Sequence, residues 1–198
     1  MNHLAHIFLS GDDNEIVLGN FIGDFVKGHQ WQNFPPGIQK GILLHRRIDD
    51  FTDHHLQVRE AKKIFLSSYH PYSGVIIDVL FDGLLAKHFT EYSKTDLNTF
   101  TAKFYAMAKA ASSQLPEPAR HMLSYMARDN WLFNYREDKG LDFALRGLTK
   151  RTGNLVPMYL AMKEYRAHYD LLENCFRQFF PELITFTKKE LENFTHDF

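Results

Sequence analysis

GVIIDVLFDGLLAKHF, residues 74–89, is apolar almost all the way round a helix. A surface helix shows one apolar stripe, whereas a helix that is apolar on every side lies inside a core. Strict alternation at period 2 is scarce in the rest of the chain, so the segment reads as the central helix of an all-α domain. Asp78 and Asp82 interrupt it at i and i+4, and that spacing puts both on one face. A buried carboxylate is costly unless paired with a cation or a metal, and two stacked carboxylates also repel. A divalent ion would remove both penalties. His88 follows on an adjoining face.

Outward from this helix, prolines and glycines cut the chain into further helical pieces. The pattern predicts helices over about 15–27, with Asp12 or Asp13 near the cap and Gly28 after it, and from Pro35-Pro36-Gly37 to about 54. Others are expected near 56–67, 72–92, 95–113, 117–134, 138–149, 157–178 and 181–195. No repeat or Gly/Ser linker divides the chain, so residues 1–198 read as a single domain.

Two other helices repeat the arrangement of the first. In 38–53, Ile38, Ile42, His45, Asp49 and Thr52 share a face, with Asp53 beside them, so His45 and Asp49 continue a buried stripe while Arg46, Arg47 and Asp50 point elsewhere. In EIVLGNFIGDFVKG, Asn20 and Asp24 sit at i and i+4, and His6 lies in an apolar LAHIFL near the start. His6, Asp24, His45, Asp49, Asp78, Asp82 and His88 are thus single polar groups embedded in separate apolar segments. Mixed His/Asp ligands gathered from several helices suit Mn2+, Fe2+, Zn2+ or Mg2+, and such sites activate water or bridge phosphate oxygens.

Each residue alone has a plainer reading: a lone inward Asp more often pairs with an Arg, and a lone inward His is more often a hydrogen-bonded core residue. The joint pattern favours a shared site, because otherwise every group needs its own partner. Other chemical signals are weak. His196-Asp197 is an HD dipeptide at the chain end. Cys175 lies in an apolar helical pattern and reads as a core residue. Gly19 and Gly23, four apart, mark close helix packing.

Composition bounds the partners. Net charge is -1, which gives no whole-chain attraction to nucleic acid. A single cysteine excludes an intramolecular disulfide and suits a reducing compartment. The start lacks a basic n-region and no apolar run is long enough to span a bilayer, so a cytoplasmic protein without a membrane span is expected. The 18 Phe foretell a Phe-built core.

The chain resembles the acyl carrier protein phosphodiesterases along nearly its whole length. The resemblance rests on Asn2, Leu4, Ala5 and His6; on Gly19, Asn20, Asp24 and Phe25; on Pro35-Pro36 and Gly41-Ile42; and on the specific string His45 to Asp49 with Thr52 and Asp53. Val58 to Ala61, then Asp78, Val79, Asp82 and His88 follow, with weaker matches at Trp131-Leu132, Tyr135-Arg136 and 167–170. His3 departs from the pattern, standing where relatives carry Phe, and is not assumed to be a ligand.

The resemblance implies a distantly HD-phosphohydrolase-like, Mn2+-dependent enzyme of lipid metabolism and fatty acid biosynthesis. It would hydrolyse the phosphodiester between 4'-phosphopantetheine and a serine of acyl carrier protein, giving apo carrier and free 4'-phosphopantetheine. His6, Asp24, His45, Asp49, Asp78 and Asp82 become the metal shell. Asp24, His45, Arg46 and His88 become catalytic candidates: Arg46 or Arg47 for the phosphate, His88 or a spare Asp for the leaving-group proton. The acidic carrier would meet Arg46, Arg47, Arg59, Lys62 and Lys63. The competing readings are an HD-type phosphohydrolase acting on a nucleotide, and a helical binding protein whose buried Asp and His pair with Arg120, Arg128, Arg136 or Arg151.

Overall fold

The computed structural model describes residues 1–194, all helices and connections with no strand among them. In chain order the helices are α1 (His3–Leu9), α2 (Asn14–Ile22), α3 (Pro36–His54), α4 (Leu56–Tyr69), α5 (Ser73–Lys87), α6 (Phe89–Tyr92), α7 (Leu97–Ala110), α8 (Glu117–Arg128), α9 (Trp131–Asn134), α10 (Asp138–Arg151), α11 (Met162–Ala167) and α12 (Tyr169–Asn193). None is long and apolar enough to cross a membrane. The dipeptide His196-Asp197 lies outside the described residues.

α5 is the central helix. From Ile76 to Ala86 its side chains are buried apart from a partly open Asp78, and α1, α4, α10 and α12 pack against it. The core around it is built on Phe: Phe81 meets Phe176 at 5.5 Å and Phe179 at 5.8 Å, and Phe176 stacks on Phe180 at 5.0 Å. Edge-to-face and offset ring pairs of this kind add to simple burial.

α2 and α3 approach more closely than ordinary side chains permit. A Cβ on Gly19 would fall 2.1 Å from the Ile38 carbonyl oxygen, and one on Gly41 2.2 Å from that of Ile16. The two helices therefore meet backbone to backbone at Gly19 and Gly41; of the two glycines read as marking close helix packing, Gly19 does so, whereas Gly23 faces the His45 ring.

The local sequence misplaced some ends. The helix expected over 15–27 stops at Ile22 and tightens into a 3-10 turn at Gly23–Phe25, before Gly28 at φ +53. Asn130, left-handed at φ 46, splits α8 from α9 within the expected 117–134 helix. The expected 157–178 helix is broken at its start, where a 3-10 turn (Met158–Ala161) and the short α11 precede α12. α12 instead runs straight through Pro181, because Phe176, Phe179, Phe180 and Leu183 anchor both halves in the core and the proline removes only one ladder bond. α1 had no sequence signal: its N-cap Asn2 makes no side-chain cap. Asp82 of α5 does that work, accepting from the Leu4 and Ala5 amides at 2.7 and 3.1 Å. A buried carboxylate at a helix N-terminus satisfies two orphan donors and meets the positive end of the dipole.

Candidate metal centre

Three helices bring the centre together. α1 supplies His6, the adjoining α2 and 3-10 turn supply Asn20 and Asp24, and α3 supplies His45 and Asp49 one turn apart. His6 and His45 are buried, Asp49 is partly open, and Asp24 is largely exposed at the mouth. Gly23 makes the room: a Cβ there would fall 2.2 Å from Cγ of His45.

Asn20 sets both imidazoles. Its amide nitrogen donates to the His6 carbonyl at 3.0 Å and to Ser10 Oγ at 2.9 Å, which turns its Oδ1 toward His6 Nδ1 at 2.7 Å. Its backbone oxygen accepts from His45 Nδ1 at 2.8 Å. Both rings therefore carry hydrogen on Nδ1 and present the Nε2 lone pair. Those lone pairs converge on one carboxylate: His6 Nε2 lies 3.1 Å from Asp49 Oδ1, and His45 Nε2 lies 3.2 Å from Asp49 Oδ2 and 3.5 Å from Asp24 Oδ1. His6 Nε2 also faces the Met1 carbonyl at 3.1 Å.

Every group at this point is an acceptor, and His45 Nε2 is buried without a hydrogen-bond partner. Acceptors turned on a common point require a proton or a cation among them. One ligand atom from each of His6, His45 and Asp49 lies within 4.8 Å of the others, a spacing a single metal ion could bridge. Fixed Nδ1–H tautomers with a free Nε2 are also how metal-binding imidazoles are held. The residues fit a divalent cation.

Protonation follows the same geometry. Burial works against charge on His45, but the Asp24 and Asp49 carboxylates beside its Nε2 outweigh it and lift the imidazole to about 9. Burial and the neighbouring His45 charge push His6 down to about 4. Asp49, despite burial, is held well below the carboxylate range by both imidazoles, and the His45 imidazole does the same for Asp24. Burial pushes His3 to about 4; Asp24 opposes that, and His6, His45 and Arg151 add to it.

The remaining predicted residues divide. Asp78 joins the rim, 3.1 Å from the Met1 α-amino nitrogen, which is 3.6 Å from Asp49; burial raises its pKa against that amine. Asp82 has both oxygens on the α1 amides, and burial raises it to about 7. Arg46 donates to the carbonyls of Val26 and Gly28, holding the loop just after Asp24. His88 is not brought to the cluster: its Nδ1 lies 3.0 Å from Glu91, its Nε2 faces Glu173 and Arg177 packs beside it.

The expected basic face is largely neutralised. Arg47 pairs with Glu190, Lys62 with Asp53 at 2.7 Å and Lys63 with Glu60 at 2.7 Å. Nor do the distant arginines pair with the inward Asp residues: Arg128 and Arg136 take their own neighbours, Asp129 and Glu137. Asn20 was legible as a polar residue in an apolar helix, but its role as the shared anchor of two histidines needed the fold.

A family model described as acyl carrier protein phosphodiesterase matches residues 1–183. The chain is 33% identical over 187 residues to an acyl carrier protein phosphodiesterase of Salmonella dublin, covering 93% of this chain and 96% of the relative. It is 31% identical over 185 residues to that of Escherichia coli O6:H1, with the same coverage of both chains. No solved structure matches significantly. The matched region carries every residue of the centre, and the chain belongs to the acyl carrier protein phosphodiesterase family.

Proposed function

We propose that this protein removes the prosthetic group of acyl carrier protein, hydrolysing the 4'-phosphopantetheine–serine phosphodiester of the holo carrier to apo carrier and 4'-phosphopantetheine. The observation that carries the reading is the convergence of two imidazole lone pairs and one carboxylate in a chain that matches the family over residues 1–183. His6, His45 and Asp49 would hold the cation, Mn2+ in the first place, with Asp24 beside them at the mouth. A divalent cation there supplies Lewis acidity toward the phosphate and lowers the pKa of water.

The chain's own residues do the rest. Asn20 keeps both rings in the ligating tautomer. Asp24, ionised and open to solvent, would take the proton of the attacking water at its carboxylate oxygen and return it to the serine oxygen as the P–O bond breaks. Asp78 braces Asp49 through the Met1 amine, and Asp82 fixes α1 so that His6 stays on target. Arg46 secures the loop after Asp24 rather than reaching the phosphate.

The test is the mass of holo acyl carrier protein after incubation with the protein, once with Mn2+ and once with EDTA. Loss of the phosphopantetheine mass with Mn2+ alone is the expected result. An unchanged carrier in the presence of folded, metal-loaded protein would overturn the reading.

A further inference from the structure

A cavity of about 410 Å3 opens beside the centre between the start of α1, α5, α8, α9 and α10. That volume lies within the range of roughly 300–1,000 Å3 in which small-molecule sites fall. Its inner wall comes from the same segments that carry the centre: Phe25 follows Asp24, Val79 follows Asp78, and Asn2 and His3 lead into the helix of His6.

The far wall is one face of α10, where Ala144, Gly147, Leu148 and Arg151 line the same space. A Cβ on Gly147 would meet nothing within 4 Å, so the glycine leaves the space open. The lining is mostly apolar, with a few polar groups set in it: Asn2 Nδ2 donates to the Tyr135 hydroxyl at 3.4 Å, and His3 and His121 stand nearby. Arg151 has no ion pair among the described residues and shares the cavity with His3, whose field reaches Asp24.

We infer that this cavity is the substrate-arm site: an uncharged, amide-bearing chain lies along Phe25, Met122, Leu148 and Tyr135, and Arg151 takes the phosphate at its centre-facing end. The chemistry matches on both counts. An apolar wall with sparse hydrogen-bonding groups suits a flexible chain with two amides, and a guanidinium without an ion pair among the described residues suits a phosphoester oxygen. The inference rests on the proposed reaction for the identity of the arm, pantetheine.

Calorimetric titration of the Mn2+-loaded full-length protein with pantetheine and with 4'-phosphopantetheine tests it, with carrier mass measured in parallel. Pantetheine should bind the parent protein. Gly147→Leu, which replaces a helix-weakening residue and fills the cavity, should weaken both ligands at least about tenfold with helix content intact. Arg151→Ala should leave pantetheine binding in place and remove about a tenfold preference for the phosphorylated arm. Pantetheine binding that is absent from the parent, or unmoved by Gly147→Leu, overturns the cavity assignment even if the carrier is stripped. Should Gly147→Leu lose helix content, Ala144→Leu, from the same face, replaces it under the same criteria. Arm binding present in the parent and lost in the filled cavity, with the carrier left intact by the parent itself, upholds the cavity and overturns the reaction instead.

Discussion

The rings of His6 and His45 lie stacked, 4.0 Å between centroids and 19° between planes, with both Nε2 atoms directed at Asp49. Two parallel imidazoles at that separation cannot both be protonated without strong repulsion. The site accepts one cation between them, either a proton centred on His45 or a divalent metal ion shared by all three residues. Proton and metal therefore compete for one place.

That competition has a pH signature. With metal stripped by EDTA, His45 has a folded pKa of about 9 against an ordinary 6.5. A raised histidine pKa contributes stability that is fully present below the ordinary value and is lost as pH rises through about 9. Thermal unfolding of EDTA-treated protein should show Tm falling through that window, and His45→Gln should flatten the fall. Mn2+ binding at pH 7.5 should release close to one proton, read from calorimetry in buffers of different ionisation enthalpy, and affinity should rise with pH until about 9.

Removing a ligand should separate chemistry from folding. His45→Ala is expected to lose bound metal and at least about a hundredfold in turnover, since even indirect supports of metal ligands are worth 10–100-fold. Helix content by circular dichroism should hold. Metal analysis that finds stoichiometric Mn2+ in an active His45→Ala protein would remove His45 from the ligand set.

Asp82 should behave in the opposite way. Asp82→Asn sets an amide N–H against one of the two α1 amides, leaving a buried donor unmatched at a cost of about 1–3 kcal/mol. The expected outcome is a lower Tm with metal stoichiometry retained. Loss of metal without loss of Tm would make Asp82 a ligand after all.

Gly23 and Gly19 should also separate. Gly23→Ala places its Cβ against the His45 ring, which must shift, so metal affinity and activity fall while the helices persist. Gly19→Ala strikes the Ile38 backbone carbonyl, which cannot swing aside, so stability falls first. Metal content and Tm measured on the two variants decide it; equal Tm losses would deny Gly23 its special place at the ring.

The sequence by itself determined the class and the raw material of the site. Apolar residues on every side of 74–89 compel a buried central helix, and buried Asp and His demand partners, so His6, Asp24, His45, Asp49, Asp78, Asp82 and His88 were visible as candidates before any fold was known. Periodicity reports burial, and burial is what made those residues conspicuous. It does not report direction between elements. Whether Asp82 faces a metal or the amides of α1, whether Arg46 reaches a phosphate or a loop carbonyl, and whether His88 meets Asp49 or Glu173 depend on contacts across dozens of residues that no local pattern encodes. The same holds for Asn20 between the two rings and for the space left by Gly147. Tertiary packing decided these, because side-chain partners are chosen by the docking of helices and not by their formation.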